Sequence, residues 1–529
     1  MQDPKAGWRL EATYARLPQA FFSHVTPTPV AVPRLAILNT ALANRLGLDP
    51  DVLASEAGVE ILAGNRLPEG SVPLAQAYAG HQFGHFTRLG DGRAVLLGEH
   101  LAPDGVRFDI QLKGSGRTPY SRDGDGRAAL GPMLREYLIS EAMAGLGIPT
   151  TRSLAVVTTG EPVWRDKALA GAVLTRVASS HIRIGTFEHA AARGDLADLR
   201  ALADYAIERH FPGAVAARQP YLAFLAAVLR RQARLVAQWQ GVGFVHGVLN
   251  TDNLAISGET IDYGPCAFMD AYDPGTVFSS IDLQGRYAFG NQPRMVSWNL
   301  ARFAETLLPL LDPNQEKARA RAQAVLNTFA EHYQAAWLQV MREKLGLKPL
   351  DDAADEGTEV TVRLRGAEPV WADDWQADPE AVPPTDPEQE GDIAQVKELL
   401  DLMKAHQRDW TNTFVDLSLV HTDDLDDPFY GSEAFIAWQN DYQMRLSLQE
   451  ESPEAILYRM RSANPAVIAR NFYVEEALAA VIDRADLAPY FKLLGALAIP
   501  YAHVPAQAEF ASPGNPDGPD GRYRTFCGT

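Results

Sequence analysis

Cysteine is nearly missing from this chain: of 529 residues only Cys266 and Cys527 are thiols, and no Cys-x-x-Cys pair occurs. That excludes a secreted disulfide framework and a zinc ribbon. Long apolar runs are missing too, and nothing approaches the roughly 20 residues that a membrane helix needs. The opening "MQDPKAGWRLEATYARLPQAFF" has neither the apolar core of a signal peptide nor the Arg-rich, acid-poor make-up of a transit peptide. The expected compartment is the cytoplasm. Positive charge is in deficit: 48 Lys and Arg against 67 Asp and Glu leave a net charge of −19. Such a field repels nucleic acid and anionic membrane, so neither is expected as a partner, although phosphates still bind where local cations gather. No internal repeat is visible.

What is present is the make-up of a globular enzyme, 46% hydrophobic and 22% charged, long enough for one large or two ordinary domains. After the irregular "SHVTPTPVAVP", the runs "GRAVLLGEHL" and "RFDIQLKG" flank the turn "APDG" and predict a hairpin. The glycine-rich "KGSGRTPYSRDGDGRAALG" leads into "PMLREYLISEAMAGLGIP", which has helical spacing and ends at Gly-Ile-Pro. "SLAVVTTGEPVW" and "AGAVLTRVA" read as strands, and "YLAFLAAVLRRQARLVAQWQ" as a long amphipathic helix stopped at Gly241. From about 295 the pattern is mostly helical. The fold class expected is α+β, in the order of a protein-kinase-like two-lobed fold with additional C-terminal helices. The divisions expected are an extension over 1–75, a nucleotide-binding lobe over 76–170 and a second lobe with the catalytic loop over 171–348. An acidic, Pro-rich insertion over 349–392, helices over 393–510 and a tail over 511–529 carrying Cys527 follow.

One further absence frames the chemistry. The stretch "FVHGVLNTDNLAISGETIDYG" (244–264) resembles a kinase catalytic loop, yet five residues before Asn253, where a kinase has its catalytic Asp, stands Val248. Asp252 is the only carboxylate in 244–258 and is the available general base. Asn253 and Asp262 flank "LAISGETI", read as strand, turn and strand, so that two oxygen-bearing side chains converge on a hard cation such as Mg²⁺. Strand alternation sets Lys113 on the face opposite Phe108, Ile110 and Leu112, where it can enter a cleft. Glu136 and Glu141 are both placed to pair with it, and helical spacing does not choose between them. Gly90 and Gly92 in "LGDGR", and Asp125 and Gly126 in "RDGDGR", sit on loops that either approach a phosphate or simply turn. Arg176 and Arg183 suit a bidentate phosphate clamp. His81 and His85 have the i,i+4 spacing of a metal pair, but Gly84 lies between them and no third ligand appears, so zinc is not expected.

The segments "YAGHQFG", "DIQLKGSGRTPYSRDGDGRAALGPMLREYLISEAM", "TRVASSHIRIGTFE" and "HGVLNTDNLAISGETIDYGPCAFMD" resemble the selenoprotein O family of kinase-like protein adenylyltransferases, densely over about 75–290. The resemblance implies ATP as substrate, seated in reverse relative to protein kinases, with AMP passed to Ser, Thr or Tyr hydroxyls of protein substrates. It implies that Lys113 contacts the phosphates with Glu136, rather than Glu141, as its partner. Gly90, Gly92, Arg93, Asp125 and Gly126 then line the nucleotide site, and Arg176 and Arg183 hold the distal phosphates. Asn253 and Asp262 hold Mg²⁺ or Mn²⁺, and Asp252 is the base. It also implies a redox latch between Cys266 and Cys527, although the tail reads Cys-Gly-Thr where Cys-Ser-Ser is commoner in the family. A conventional kinase and a non-catalytic pseudokinase scaffold are the rival readings.

Overall fold

The computed structural model describes residues 6–349, 379–383, 387–418 and 427–514. Most of the acidic stretch expected over 349–392 lies outside them, as does the tail beyond Gly514 with Cys527. The fold is α+β: a large antiparallel sheet, then helices.

The expected hairpin forms as Ala94–Leu101 and Arg107–Lys113, and the two strands read at "SLAVV" and "AGAVL" run as Arg152–Trp164 and Ala168–Ala178. They lie in a sheet ordered 22–24, 74–76, 94–101, 107–113, 168–178, 152–164, 34–38. Strands 22–24 and 34–38 come from the segment read as an extension. Because neighbouring strands keep register, Lys113 lies opposite Leu174 and Gln111 opposite Arg176. Phe108, Ile110 and Leu112 pack with Leu42, Leu46 and Leu62 on one side of the sheet. Leu96 and Leu174 join the main core on the other. The central strands therefore lie between two cores, which is why Gln111, Lys113 and Arg176 are buried rather than solvated.

Helix Leu130–Gly145 packs across the second face. It takes Pro132 in its first turn, where no intrahelical N–H is lost, and the chain leaves through Gly147 at φ 73°. The C-terminal helices hold it from behind: Arg135 donates to Glu475, Asn471 and the Cys266 carbonyl, and Tyr490 donates to the Leu134 carbonyl. The long helix spans Pro220–Gly241. Gly241 is its last residue rather than its stop; the turn is made at Gly243, φ 72°, which drops the chain into strand Phe244–His246. Of the strand–turn–strand read between Asn253 and Asp262, only the bridge Leu254 to Thr260 survives. Thr260 instead exchanges backbone hydrogen bonds with Pro149 and Thr151 of another loop. Near the end of the acidic stretch the chain is helical, Pro387–Ala405, with Asp392 buried between Arg342 and Arg445.

Candidate functional site

Ionic side chains from separated elements meet at the end of strand Arg107–Lys113. Lys113 Nζ lies 2.6 Å from Glu136 Oε2 and 3.0 Å from Asp262 Oδ1. Arg176, one strand over, forks onto Glu136 Oε1 at 2.9 and 2.5 Å and reaches Asp262 Oδ1 at 2.6 Å. Arg183, at the start of helix Ile184–Arg193, binds Asp262 Oδ2 and, at 2.6 Å, the Asp252 carbonyl. Its guanidinium also lies 4.7 Å from the Tyr78 ring centre.

The geometry decides between the glutamates that spacing left open. Glu136 faces Lys113, whereas Glu141 one and a half turns on is forked by Arg152 at 2.9 and 2.6 Å. Glu141→Gln is expected to cost about 2 kcal/mol of stability, the loss of a charged hydrogen-bond pair, and to leave the KM for ATP unchanged. Glu136→Gln raises that KM. Urea denaturation and initial rates separate the two.

Lys113, Arg176 and Arg183 crowd onto Glu136 and Asp262, with the buried carboxyls of Asp91 and Asp252 acting on the same arginines, so three cations are gathered that an anionic ligand can compete for. Burial opposes ionisation of Asp262, but Arg176, Arg183 and Lys113 outweigh it and hold that carboxyl well below the usual carboxylate range. Burial likewise opposes ionisation of Glu136, and Arg176 with Lys113 outweigh it. Asp262 stands at φ 62°, a left-handed conformation uncommon outside glycine, closed by the Gly264 N–H on its own carbonyl at 2.8 Å. Strain of that kind survives where surrounding contacts over-determine a side chain.

Asp252 is buried and its Oδ1 has no hydrogen-bond partner. Burial pushes its carboxyl up to about 6, against the pull of Arg183. A carboxylate half ready to take a proton suits a general base near neutrality. Asn253 donates Nδ2 to the Val248 carbonyl at 2.7 Å. Position 248 thus supplies a backbone acceptor that orients the amide, and Oδ1 is the atom Asn253 can offer a cation. His246 bonds the Ile261 carbonyl at 3.0 Å through Nε2. Burial holds its pKa low, so the neutral ring donates and steadies the backbone beside Asp262.

For a divalent ion the donors fit: Asn253 Oδ1 and Asp262 are hard oxygens, and the neighbouring Asp252 Oδ1 is orphaned in a buried place. Among the described residues no group of three or more His, Cys, Asp or Glu is gathered for a metal. Hard oxygens such as those of Asn253 and Asp262 suit a cation like Mg²⁺, which takes few protein ligands and keeps waters or phosphate oxygens. His81 and His85 sit on opposite strands of the hairpin Ala79–Gln82 and His85–Arg88, not on one helix face, and His81 Nδ1 is bound to Glu188 at 2.5 Å.

The glycine loops meet each other rather than the ion cluster. A Cβ on Gly90 (φ 137°) would fall 2.5 Å from the Tyr120 ring, and one on Gly126 (φ 70°) 2.1 Å from the Gly116 carbonyl. Gly92 packs on the Tyr120 carbonyl, and the Arg93 carbonyl accepts from Gly114 at 2.7 Å. Asp125 is exposed and engaged by Arg165 at 2.9 Å. Cys266 is fully buried, and burial pushes its thiol up to about 12. Iodoacetamide at neutral pH should therefore leave Cys266 unmodified in native protein and alkylate it in urea, as read by peptide mass spectrometry.

Sequence reading missed Asp91, Gly80 and Glu188. Asp91 lies between the two loop glycines, accepts from the Gln76 N–H at 3.1 Å and Gln111 Nε2 at 3.2 Å, and is pushed by burial up to about 6. It stood inside the quoted "LGDGR" as the lone acid of that turn. Gly80 lies against Asp252, and a Cβ there would fall 2.2 Å from Oδ1. Glu188 accepts from Thr251 Oγ1 at 2.7 Å, and Thr251 Oγ1 accepts from the His81 N–H at 2.7 Å. No local pattern announces contacts across such sequence distances.

The chain matches the family model described as "Protein adenylyltransferase SelO" over residues 6–498. It is 56% identical to "Protein nucleotidyltransferase YdiU" of Geobacillus kaustophilus over 524 residues, 99% of this chain and 100% of that protein. Proteins of the same name from Bacillus cytotoxicus and Brevibacillus brevis are each 54% identical, covering 99% of this chain and 98% of theirs.

Proposed function

The chain belongs to the SelO family of protein adenylyltransferases, and from that premise we propose that its buried ion cluster transfers AMP from ATP to hydroxyl groups of protein substrates. The observation that carries this is the sharing of Asp262 among Lys113, Arg176 and Arg183 beside an Asp252 carboxylate with one unpaired oxygen.

ATP phosphates compete with Asp262 for the cations around it. Arg183 and Arg176, long and planar, fork onto the β- and γ-phosphates and fix the leaving pyrophosphate. Lys113 stays positioned by Glu136 and neutralises charge nearer the α-phosphorus. Mg²⁺ or Mn²⁺, held by Asn253 and Asp262, supplies further charge neutralisation on the phosphates when bound. With the α-phosphorus turned toward Asp252, that carboxylate takes the proton of the incoming Ser, Thr or Tyr hydroxyl. The hydroxyl oxygen forms its bond to the α-phosphorus as the bond to the β-phosphate oxygen breaks, and pyrophosphate leaves. The protein contributes position and electrostatics and forms no covalent intermediate. Gly90, Gly92, Arg93, Asp125 and Gly126 line the nucleotide site in this reading. A Cys266–Cys527 disulfide on the tail requires the buried Cys266 thiol to be exposed first, and a cross-linked peptide in oxidised protein is its test.

The deciding experiment offers ATP labelled at the α- or the γ-phosphorus. Label from the α-position on protein is the expected result; label from the γ-position makes the chain a kinase, and no label from either makes it a scaffold. Among the described residues no helix is long and apolar enough to cross a membrane.

A further inference from the structure

We infer that the hairpin 79–88, the loop 279–288 and Trp298 form the docking surface for the acceptor, and that it selects hydroxyl-bearing segments flanked by acidic residues. This rests on the transfer reading above and names the substrate class of the same site.

The hairpin and the loop are joined to the catalytic loop through one residue, and Trp298 is held by both. Asn250, two positions before Asp252, accepts through Oδ1 from the Phe83 N–H at 3.1 Å and from the Tyr287 hydroxyl. Phe83 and Tyr287 also pack with ring centres 5.2 Å apart and planes tilted by 58°. His81 meets Phe86 and Trp298 edge-on, each at 5.5 Å. Arg286 lies over Trp298 at 4.8 Å and over Tyr287 at 5.7 Å, alongside the hairpin turn, 3.7 Å from where a Gly84 side chain would begin. A segment resting here lies beside the residue proposed to deprotonate its hydroxyl.

The charge of the surface chooses the occupant. In a chain of net charge −19, Arg286 stands at the hairpin turn beside Gly84, next in sequence to the exposed His85. Arg286 forms no ion pair with a carboxylate among the described residues, and its Nε has no hydrogen-bond partner. Asp282, the acid nearest to it in sequence, spends its two carboxylate oxygens on the backbone N–H groups of Arg286 and Tyr287. A guanidinium held over an aromatic ring, with no ion-paired acid among the described residues, is a receptor for a carboxylate. Beside it stand exposed apolar side chains, Phe86 at 45%, Ile281 at 61% and Leu283 at 85%. Large exposed side chains grouped at a catalytic mouth fit an apolar residue of a bound segment better than solvent.

The test uses the full chain with α-labelled ATP and two synthetic peptides that share one Tyr and one Leu and differ only in Asp or Lys on either side. The wild type is expected to label the Asp peptide with a KM about ten-fold lower than the Lys peptide, the discrimination typical of one charge contact. Arg286→Glu should reverse that order while the KM for ATP stays within two-fold. Leu283→Gln, at a position too exposed to affect folding, removes the apolar contact without adding charge and should raise the KM of both peptides. Equal use of the two peptides by the wild type, or an unchanged order in Arg286→Glu, overturns the inference while leaving transfer intact. No α-label on any acceptor overturns the transfer reading together with it.

Discussion

Asp262→Ala is expected to cut transfer of α-label about 10³-fold, the scale seen when a charge-stabilising group is removed from an active site. It is also expected to destabilise the nucleotide-free protein. Wild-type Asp262 neutralises parts of Lys113, Arg176 and Arg183; without it, Lys113 and Arg176 keep Glu136, while buried Arg183 loses its carboxylate partner. Breaking a buried pair by removing one partner costs about 3–5 kcal/mol, because the remaining charge is left unpaired. ATP supplied without metal restores the missing negative charge. Its stabilisation of the variant, read as a rise in Tm, should therefore exceed its stabilisation of the wild type, where phosphates must first displace a carboxylate. A variant that melts like the wild type, or gains less from ATP, would show that Asp262 is not the resident counter-ion of the cluster. The effect also has a pH signature in EDTA. The folded carboxyl is held well below the unfolded value of about 3.9, so its contribution is complete above that value and is lost as pH falls through the folded one. The gap in Tm between wild type and variant should stay flat through the neutral range and close in acid.

Gly80→Ala is the second large effect and isolates the base from the nucleotide. The added methyl would lie 2.2 Å from Asp252 Oδ1 and 2.7 Å from its Cγ, so the carboxylate must swing or the hairpin must lift. Neither Lys113, Glu136 nor Arg176 touches Gly80. Displacing a catalytic group by about 1 Å costs on the order of 10²-fold in rate. The expected outcome is a kcat about 10²-fold lower with the KM for ATP unchanged, measured at saturating acceptor. A normal kcat would remove Asp252 from the mechanism; a raised KM for ATP would mean that the hairpin shapes the nucleotide site instead.

The elements that were legible in the sequence share one property, a local cause. Alternation set Lys113 opposite Phe108, Ile110 and Leu112; helical spacing marked the segment ending at Gly-Ile-Pro, observed as Leu130–Gly145, and the long helix read as stopped at Gly241, observed as Pro220–Gly241. The turn "APDG" sat between two apolar runs, and the long motif around 244–264 identified the family. The misread elements had local signals that tertiary contacts overrode. The stretch between Asn253 and Asp262 looks like a hairpin, but Thr260 gives its N–H and its carbonyl to Pro149 and Thr151 of another loop, which leaves a single bridge where two strands were expected.

The sequence by itself determined the chemistry on offer: an acidic, cysteine-poor α+β chain with Lys113, Arg176, Arg183, Asp252, Asn253 and Asp262 in an order that identifies a nucleotidyl-transferring family. Only the tertiary structure decided which glutamate meets Lys113, that the cations converge on Asp262, and that Gly80 makes room for Asp252. The reason is distance along the chain. Lys113 and Asp262 are 149 residues apart and Gly80 is further still from its partner. Spacing rules reach only the next turn of a helix or the facing residue of a strand.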